Sequence, residues 1–328
     1  MYEATIVPSD WAQNFKEIDE WWVPYDGMKT ILVDNHGVSA NRIHVVEEGL
    51  DTRRTFNPDL FDYASSRARI YPKDAQGGFI FVSIFKWETR KAYEELIRAF
   101  VTAFPGNESV TLFLRTTPPQ SLQDIVSRLV GKRDERIRVL ERQEDHRYMQ
   151  MLAGADGFVA ATHGEGWGRP IMEAMAMGLP TIATNWSGPT QFMTQDTGYL
   201  LPVKGLVAAT GLPGADSRAQ WADIDVGLLA GLMKRIVEHP NEAQAVGARA
   251  RQRIVQHYDQ DAIAEQVLDR LQQACERQQR GILPRHLDTP HVHPRRGSTP
   301  APTTPPRRGR HKRRRRTTRR PSGPPPRS

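Results

Sequence analysis

Short apolar runs and amphipathic segments alternate through the middle of the chain. The apolar runs predict buried strands over residues 78–84, 110–115, 137–140, 157–161, 181–184 and 198–201. The segments between them predict helices over 89–104, 120–131, 145–154, 170–178 and 188–194. Apolar strands that alternate with helices are typical of a parallel sheet that is covered by helices on both faces. The pattern therefore predicts an α/β fold.

The regions on either side of this alternation follow different patterns. Before residue 76, apolar runs at 20–25 and 43–46 predict two short strands, with a helix over 27–36 between them. After the last predicted strand, residues 205–217 are rich in glycine and other small residues, which predicts a loop. Amphipathic periodicity then predicts helices over 225–238, 241–256 and 259–279.

Charge separates a C-terminal tail from the rest of the chain. The 328 residues have a formal net charge of +7, but residues 281–328 contain 14 Lys and Arg, one acidic residue and 11 of the 24 prolines. The other residues carry 31 basic and 37 acidic side chains and are mildly acidic. The tail cannot bury a core, and we expect it to be disordered. Its arginine-rich run has three interpretations. It binds nucleic acid or an acidic membrane surface, it is a solvated appendage, or it is the product of a shifted reading frame.

Cysteine content and apolar run lengths bear on the compartment. A single cysteine, Cys275, excludes an internal disulfide framework and is typical of a reducing environment. No apolar run in the sequence reaches the ~18–20 residues that a membrane-spanning helix needs. The first residues lack the basic and apolar regions of a secretory signal. These features predict a soluble, cytoplasmic protein.

The most informative stretch follows the fourth predicted strand of the alternating region. Gly164, Gly166 and Gly168 remove side chains at alternate positions, which lets a ligand approach the backbone closely. A helix is predicted to begin at Pro170, because its missing N–H would be unpaired at that position anyway. Free backbone N–H groups and the positive end of the helix dipole meet at this point. The stretch therefore predicts an anion-binding site.

Two glutamates frame this glycine loop. Glu165 lies within the loop, and Glu173 lies about one turn into the predicted helix. A carboxylate beside a phosphate would be repelled, whereas it can accept hydrogen bonds from a pair of vicinal hydroxyl groups. The stretch therefore favours a ligand that has a diphosphate at its centre and a sugar at either end.

The run EGWGRPIMEAMAMGLPTIATNWSG, residues 165–188, resembles the donor-binding half of the retaining, nucleotide-sugar-dependent glycosyltransferases of family 4, which carry an E-x7-E motif. The resemblance implies the GT-B fold, in which this half is a Rossmann-like, doubly wound parallel-sheet domain. It implies a metal-independent transfer with a nucleotide-diphosphate sugar as co-substrate and no cofactor. It identifies neither the base and sugar of the donor nor the acceptor.

The resemblance also implies roles for individual residues. Glu165 faces the hydroxyls of the donor sugar, and Glu173 faces those of the ribose. Family members place an Arg and a Lys, five residues apart, against the donor diphosphate at the first strand–helix junction of this half. Lys86 and Lys91 have this spacing, and Lys at the first position loses the bidentate fork of Arg but keeps its charge. Arg90 is predicted to face solvent.

Three further residues near the predicted site have open assignments. Arg142 follows strand 137–140, in a loop that borders the base in the family, mainly through backbone groups. Trp167 either forms a wall for the donor sugar or packs against helix 170–178. His163 either touches the donor pocket or packs in the core.

Two other chemistries are disfavoured by residue spacing. A dinucleotide-binding loop needs G-x-G-x-x-G after the first strand, whereas these glycines have G-x-G-x-G spacing after a middle strand. D-x-D motifs at 223–225 and 259–261 resemble a metal–diphosphate motif, but each stands where a predicted helix begins, and Asp is a common N-cap. The histidines show no ligand spacing. The sequence predicts no metal site.

The resemblance divides the chain into four parts. They are a remnant of the acceptor domain with the crossover (1–75), the nucleotide-sugar-binding domain (76–204), its C-terminal helices (205–280) and the basic tail (281–328). About 70 residues are too few for a whole acceptor domain. Three hypotheses follow: a glycosyltransferase, a donor-binding remnant that needs an acceptor domain from a separate chain, and a nucleic-acid binder that uses its tail.

Overall fold

The computed structural model describes residues 3–106, 109–141, 144–212 and 214–281. These residues belong to one compact unit, Met1–Pro284. The predictions made for Arg142 and for nearly all of the basic tail fall outside the described residues. The division of the remaining chain at residues 75 and 204 stays a prediction.

The described strands and helices follow the predicted alternation closely. The strands are β1 Trp21–Val23, β2 Ile43–Val45, β3 Phe79–Ile84, β4 Val110–Arg115, β5 Ile137–Leu140, β6 Gly157–Ala160, β7 Thr181–Thr184, β8 Tyr199–Leu201, β9 Val203–Ala208 and β10 Gln220–Ile224. The helices are α1 Ser9–Ala12, α2 Asp26–His36, α3 Tyr63–Ile70, α4 Tyr93–Ala103, α5 Leu122–Val130, α6 Asp145–Ala153, α7 Arg169–Ala176, α8 Pro189–Phe192, α9 Val226–Glu238, α10 Pro240–His257 and α11 Gln260–Gln279. Short 3-10 helices span Phe15–Glu17, Ala40–Arg42, Pro58–Leu60 and Thr89–Lys91.

A six-stranded parallel sheet in the order β5-β4-β3-β6-β7-β8 forms the centre of the unit. Alternate residues of β3 enter different hydrophobic clusters. Ile80 and Val82 pack on the side that holds α6, α7 and α10. Phe81 packs on the side that holds α4, α5 and α9. Because successive side chains of a strand point to opposite faces, both faces of the sheet are covered, which confirms the predicted α/β fold.

One predicted loop is wrong. The segment 205–217 begins inside a strand, because β9 pairs antiparallel with β10 in a separate two-stranded sheet, with Val207 opposite Trp221. Most residues of β9 are exposed, so the strand lacks the apolar alternation that would have revealed it. Its backbone is satisfied by a partner more than ten residues away, and a local pattern cannot show such a pairing.

A second difference lies at the start of the predicted helix 89–104. A 3-10 turn, Thr89–Lys91, comes first, and α4 begins only at Tyr93. Ala92 separates the two with φ +46°, in the left-handed region that non-glycine residues rarely adopt. Strain of this kind clusters at functional sites, and it lies beside one of the predicted site lysines.

The N-terminal region packs against the last helix. β1 and β2 form a parallel pair, and Leu50 makes an isolated parallel bridge with Asp259. The buried carboxylate of Glu20 is 2.8 Å from Arg270 Nε of α11 and 3.3 Å from Arg277 Nη1. These ion pairs join the first and last parts of the described chain.

A buried arginine joins α3 to the amino-terminal edge of the central sheet. The Arg67 guanidinium donates to the carbonyls of Gln76 and Gly154 at 2.8 and 3.0 Å, and also to the carbonyl of Gly78. It lies 2.8 Å from the Asp156 carboxylate. Within the described residues, no helix combines the length and apolar character that crossing a lipid bilayer requires.

Candidate active site

A cavity of about 580 Å³ opens at the carboxyl ends of β3 and β4. In parallel α/β sheets this edge is where ligands bind. The residues that line the cavity include several cationic side chains and come from β3, β4, the loops that follow them and the start of α7. They are Ile84, Phe85, Lys86, Trp87, Arg90, Lys91, Arg115, Thr116, Thr117 and Pro170. This composition suits a ligand that is anionic and partly apolar.

The glycine loop is held tightly against other backbone segments. A Cβ atom on Gly164 would come within 2.2 Å of the Glu3 carbonyl oxygen, so only glycine fits there. Gly168 caps α7 with φ +101°, a conformation that again favours glycine. The Glu165 N–H donates to Ser187 Oγ at 2.8 Å, and its carbonyl accepts from the Gly188 N–H at 3.0 Å. These contacts hold Glu165 at the start of α7.

Lys91 and Glu165 form an ion pair across this loop. Lys91 Nζ lies 2.6 Å from Glu165 Oε1, and both side chains are nearly buried, with exposed fractions of 13% and 11%. Two residues that are 74 positions apart in sequence therefore meet in space. Partial burial strengthens the attraction, but it also means that removing either partner would leave the other charge poorly compensated.

The prediction that Arg90 faces solvent is wrong. Its side chain is 11% exposed, and Nη1 donates to the Gly164 carbonyl at 2.6 Å. The same nitrogen lies 3.4 Å from Glu165 Oε2, and Nη2 lies 3.5 Å from Glu3 Oε1. The 3-10 turn directs consecutive cations, Arg90 and Lys91, at the two oxygens of one carboxylate, which a continuous helix would not do.

Lys86 differs from Lys91 because it is exposed and has no ion-pair partner among the contacts of the described residues. It lines the cavity together with Lys91. Of the two predicted lysines in the cavity, Lys91 is therefore neutralised by Glu165, whereas Lys86 is open to an incoming anion. An anionic ligand would meet Lys86 first and would share Lys91 with Glu165.

Glu173 lies one turn into α7 and is buried, with an exposed side-chain fraction of 11%. Its Oε2 accepts a short hydrogen bond from the Tyr148 hydroxyl. Its Oε1 lies 3.8 Å from Arg169 Nε, beyond hydrogen-bond distance. Burial raises the pKa of the Glu173 carboxyl, while the hydrogen bond from Tyr148 and the charges of Arg169 and Arg115 oppose this shift. The raised pKa shows that burial outweighs these partners.

Two of the open assignments are resolved as packing. The Trp167 indole is 1% exposed and lies against Phe192 and Tyr258, with Nε1 3.3 Å from Met172 Sδ. Its assignment to donor binding is therefore corrected, since a side chain buried in the core offers no wall to a ligand. His163 is also buried, and its ring is stacked on Trp221 and lies 2.7 Å from the Ala222 carbonyl through Nδ1.

One aspartate of each D-x-D motif caps a helix, as predicted. Asp225 accepts from the Leu228 N–H at the start of α9. Asp259 accepts from the Asp261 N–H at the start of α11 and from the Thr52 hydroxyl. Arg142 lies outside the described residues. In the part of the chain that the structure describes, no cluster of three or more His, Cys, Asp or Glu is arranged to hold a metal ion.

Sequence reasoning missed three residues of this region: Arg90, Arg115 and Tyr148. The Arg115 guanidinium carbon lies 4.6 Å from the centroid of the Tyr148 ring, in cation–π geometry. Arg90 gave a weak signal, because it lies directly beside Lys91. Arg115 ends a predicted strand, which places it at the ligand-binding edge. Tyr148 gave no signal, since a tyrosine on an amphipathic helix is ordinary.

The chain is similar in sequence and in fold to known glycosyltransferases. Residues 76–211 match the family model described as "Glycosyl transferases group 1". The chain is 28% identical to D-inositol 3-phosphate glycosyltransferase of Acidothermus cellulolyticus over 220 residues, 63% of this chain and 46% of that protein. It is 23% identical to mannosylfructose-phosphate synthase of Agrobacterium fabrum over 167 residues, 48% of this chain and 36% of that protein. The match thus spans less than half the length of these relatives.

Solved structures agree on the fold. A glycosyltransferase from Rickettsia africae superposes with a TM-score of 0.64 at 15% identity, over 82% of this chain and 68% of that one. Anabaena Alr3699/HepE, solved in complex with UDP and glucose, gives 0.61 at 19% identity, over 78% and 63%. Sucrose-phosphate synthase from Thermosynechococcus elongatus gives 0.60 at 21% identity, over 82% and 62%.

Proposed function

We propose that the chain transfers a sugar from a nucleotide-diphosphate sugar to an acceptor, with retention and without a metal ion. The match of residues 76–211 to the group 1 glycosyltransferases and the similarity of the fold to solved glycosyltransferases support this proposal. One observation carries the proposal. Lys86, Lys91 and Pro170 at the start of α7 line one cavity at the ligand-binding edge of the sheet, and Lys91 contacts Glu165 of the glycine loop. A diphosphate at that place would face cations on one side and backbone N–H groups on the other.

Charge development explains how this arrangement would act. When the bond between the sugar and the diphosphate breaks, negative charge grows on the leaving diphosphate. Lys86, Lys91 and the amino end of α7 are held in place before the reaction, so they would stabilise that charge without reorganising. Glu165, which already contacts Lys91, would accept hydrogen bonds from the donor sugar and keep it beside the leaving group.

Nucleotide binding tests this proposal without knowledge of the acceptor. The wild-type protein is incubated with UDP, GDP and ADP and with their glucose conjugates, and thermal unfolding is followed. A ligand at 100 times its Kd should stabilise the fold by about 2.7 kcal/mol. Glu173→Ala should weaken binding at least about tenfold, because hydrogen bonds to a charged group are each worth roughly 1.5–3 kcal/mol.

Glu238→Ala is the matched control, because this glutamate is exposed on α9 and pairs only with Lys234 among its described contacts. It should leave binding unchanged. The proposal fails if none of the six nucleotides stabilises the wild-type protein, or if Glu173→Ala binds as tightly as the wild type does.

A further inference from the structure

The hydroxyl of Tyr148 donates a hydrogen bond to Glu173, one of the proposed donor-binding residues. A carboxylate has two oxygens and about four lone-pair directions. The Tyr148 hydroxyl occupies one direction on Oε2, while Oε1 has Arg169 at 3.8 Å. A single short hydrogen bond therefore restrains the rotation of the carboxylate and leaves Oε1 without a tight partner in the contacts described for it.

Tyr148 is itself held from two sides. The Arg115 guanidinium carbon stacks 4.6 Å from the ring centroid, and Phe56 meets the ring edge-on with centroids 6.3 Å apart. Arg115 also lines the cavity that contains Lys86 and Lys91. A continuous series of contacts thus runs from the cavity wall through Arg115 and Tyr148 to Glu173.

We propose that Tyr148 is a positioning residue that orients the Glu173 carboxylate toward the ribose hydroxyls of the donor, and so sets the preference for ribo- over 2′-deoxyribonucleotides. The inference rests on the proposed function, because it needs a nucleotide at Glu173. A carboxylate meets two vicinal hydroxyls well in one orientation only, since both hydrogen bonds must be short and nearly linear. A carboxylate free to rotate would bind the diol less well, and would discriminate less against a sugar that lacks one hydroxyl.

The test compares two ligands across a small set of variants. Whichever of UDP, GDP and ADP binds the wild type is titrated beside its 2′-deoxy analogue. Tyr148→Phe removes the hydroxyl and keeps the ring on Phe56 and Arg115. It should weaken binding of the ribonucleotide about tenfold, because the Glu173 carboxylate is no longer held in the orientation that meets both hydroxyls. Binding of the deoxynucleotide should change less than about twofold. The ratio of the ribonucleotide affinity to the deoxynucleotide affinity should therefore fall.

Tyr71→Phe is the matched control. Tyr71 is buried, and its hydroxyl donates at 2.6 Å to the carbonyl of Met151. Met151 lies on α6, the helix that also carries Tyr148. Loss of the Tyr71 hydroxyl should leave the ratio of the two affinities unchanged. Should Tyr148→Phe fold poorly, Arg115→Met serves instead. Arg115→Met should weaken the binding of both ligands, because it removes a cation from the cavity. It should also reduce the ratio of the two affinities, because the Tyr148 ring loses its contact with the guanidinium.

A pH titration separates positioning from simple packing. The charged and titratable groups that face Glu173 are Tyr148 from α6, Arg115 from the end of β4 and Arg169 from α7, which also pairs with Glu48 at 3.3 Å. The Tyr148 hydroxyl lowers the Glu173 pKa against the effect of burial. Hydroxyl groups donate to the ionised carboxylate, so binding is lost as pH falls below that pKa. Tyr148→Phe should move this acid limb to higher pH, and Tyr71→Phe should not.

The outcomes distinguish this inference from the proposed function. If the wild type binds none of the nucleotides, both fail. If the wild type prefers the ribonucleotide and Glu173→Gln abolishes that preference, but Tyr148→Phe keeps it or weakens both ligands equally, the proposed function stands and the positioning role is refuted. An unmoved acid limb in Tyr148→Phe also refutes it.

Discussion

Replacing Lys91 with alanine is expected to slow sugar transfer by roughly 10²–10³-fold, the loss typical when one preorganised group that stabilises transition-state charge is removed. Lys91 Nζ lies at the cavity and 2.6 Å from Glu165. The variant loses one of the two lysines proposed to face the diphosphate, and it also removes the 2.6 Å contact from Glu165. Release of nucleoside diphosphate from the nucleotide sugar, measured with and without added acceptor, gives the rate.

A double variant separates the chemical role of Lys91 from its structural role. Lys91→Ala alone should also destabilise the fold, because Glu165 would keep only the 3.4 Å contact with Arg90 and the charge would be poorly compensated. Lys91→Met combined with Glu165→Gln removes both charges and should recover most of the stability, while the rate stays low. Lys234→Ala, at an exposed ion pair on α9, is the surface control. Wild-type rates in the double variant would contradict the role assigned to the pair.

Replacing Arg67 with methionine is expected to lower the free energy of unfolding by about 3–5 kcal/mol, the cost typical of breaking a buried ion pair from one side. Arg67 is 6% exposed, and its guanidinium satisfies three backbone carbonyls besides Asp156. In the variant these carbonyls lose a donor, and Asp156 keeps only Tyr63 and the Ile80 N–H among its described partners. Urea denaturation at constant pH measures the change.

Arg69→Met is the matched control, because it lies on the same helix, α3, but is exposed. It should change stability by less than about 0.5 kcal/mol. Asp156 contacts the start of β3 through the Ile80 N–H, at the edge of the sheet away from the cavity. Folded Arg67→Met should therefore bind nucleotides like the wild type. A loss of stability below about 1 kcal/mol would contradict the stabilising role assigned to the Arg67 contacts.

The sequence predicted the central sheet well because its signals are local. Each strand of the six is a short apolar run, and in a parallel sheet buried on both faces such a run needs no particular partner to be recognised. The glycine loop and α7 were also recognisable, since the glycine spacing and Pro170 act on the backbone within a few residues. The predicted helix bounds differ from the structure by a few residues where caps are weak.

Contacts between residues that are far apart in sequence determined the features of the site that the sequence did not predict. Arg90 looked like a surface cation because its sequence neighbours are polar, yet a left-handed Ala92 and the approach of the glycine loop carry it onto Gly164 and Glu165. The sequence left Trp167 open between a wall for the donor sugar and packing, and its contacts with Phe192 and Tyr258 show that it packs. Neither outcome follows from local spacing.

The sequence by itself determined that buried strands alternate with helices in an α/β fold, and it predicted an anion-binding loop, two carboxylates and two lysines near the ends of those strands, because the positions of strands, helices and loops follow from short-range patterns. Only the tertiary structure decided that Lys91 and Glu165 neutralise each other and that Tyr148 holds Glu173. Those pairs join residues 74 and 25 positions apart. Their geometry depends on how helices pack on the sheet, which no local pattern encodes.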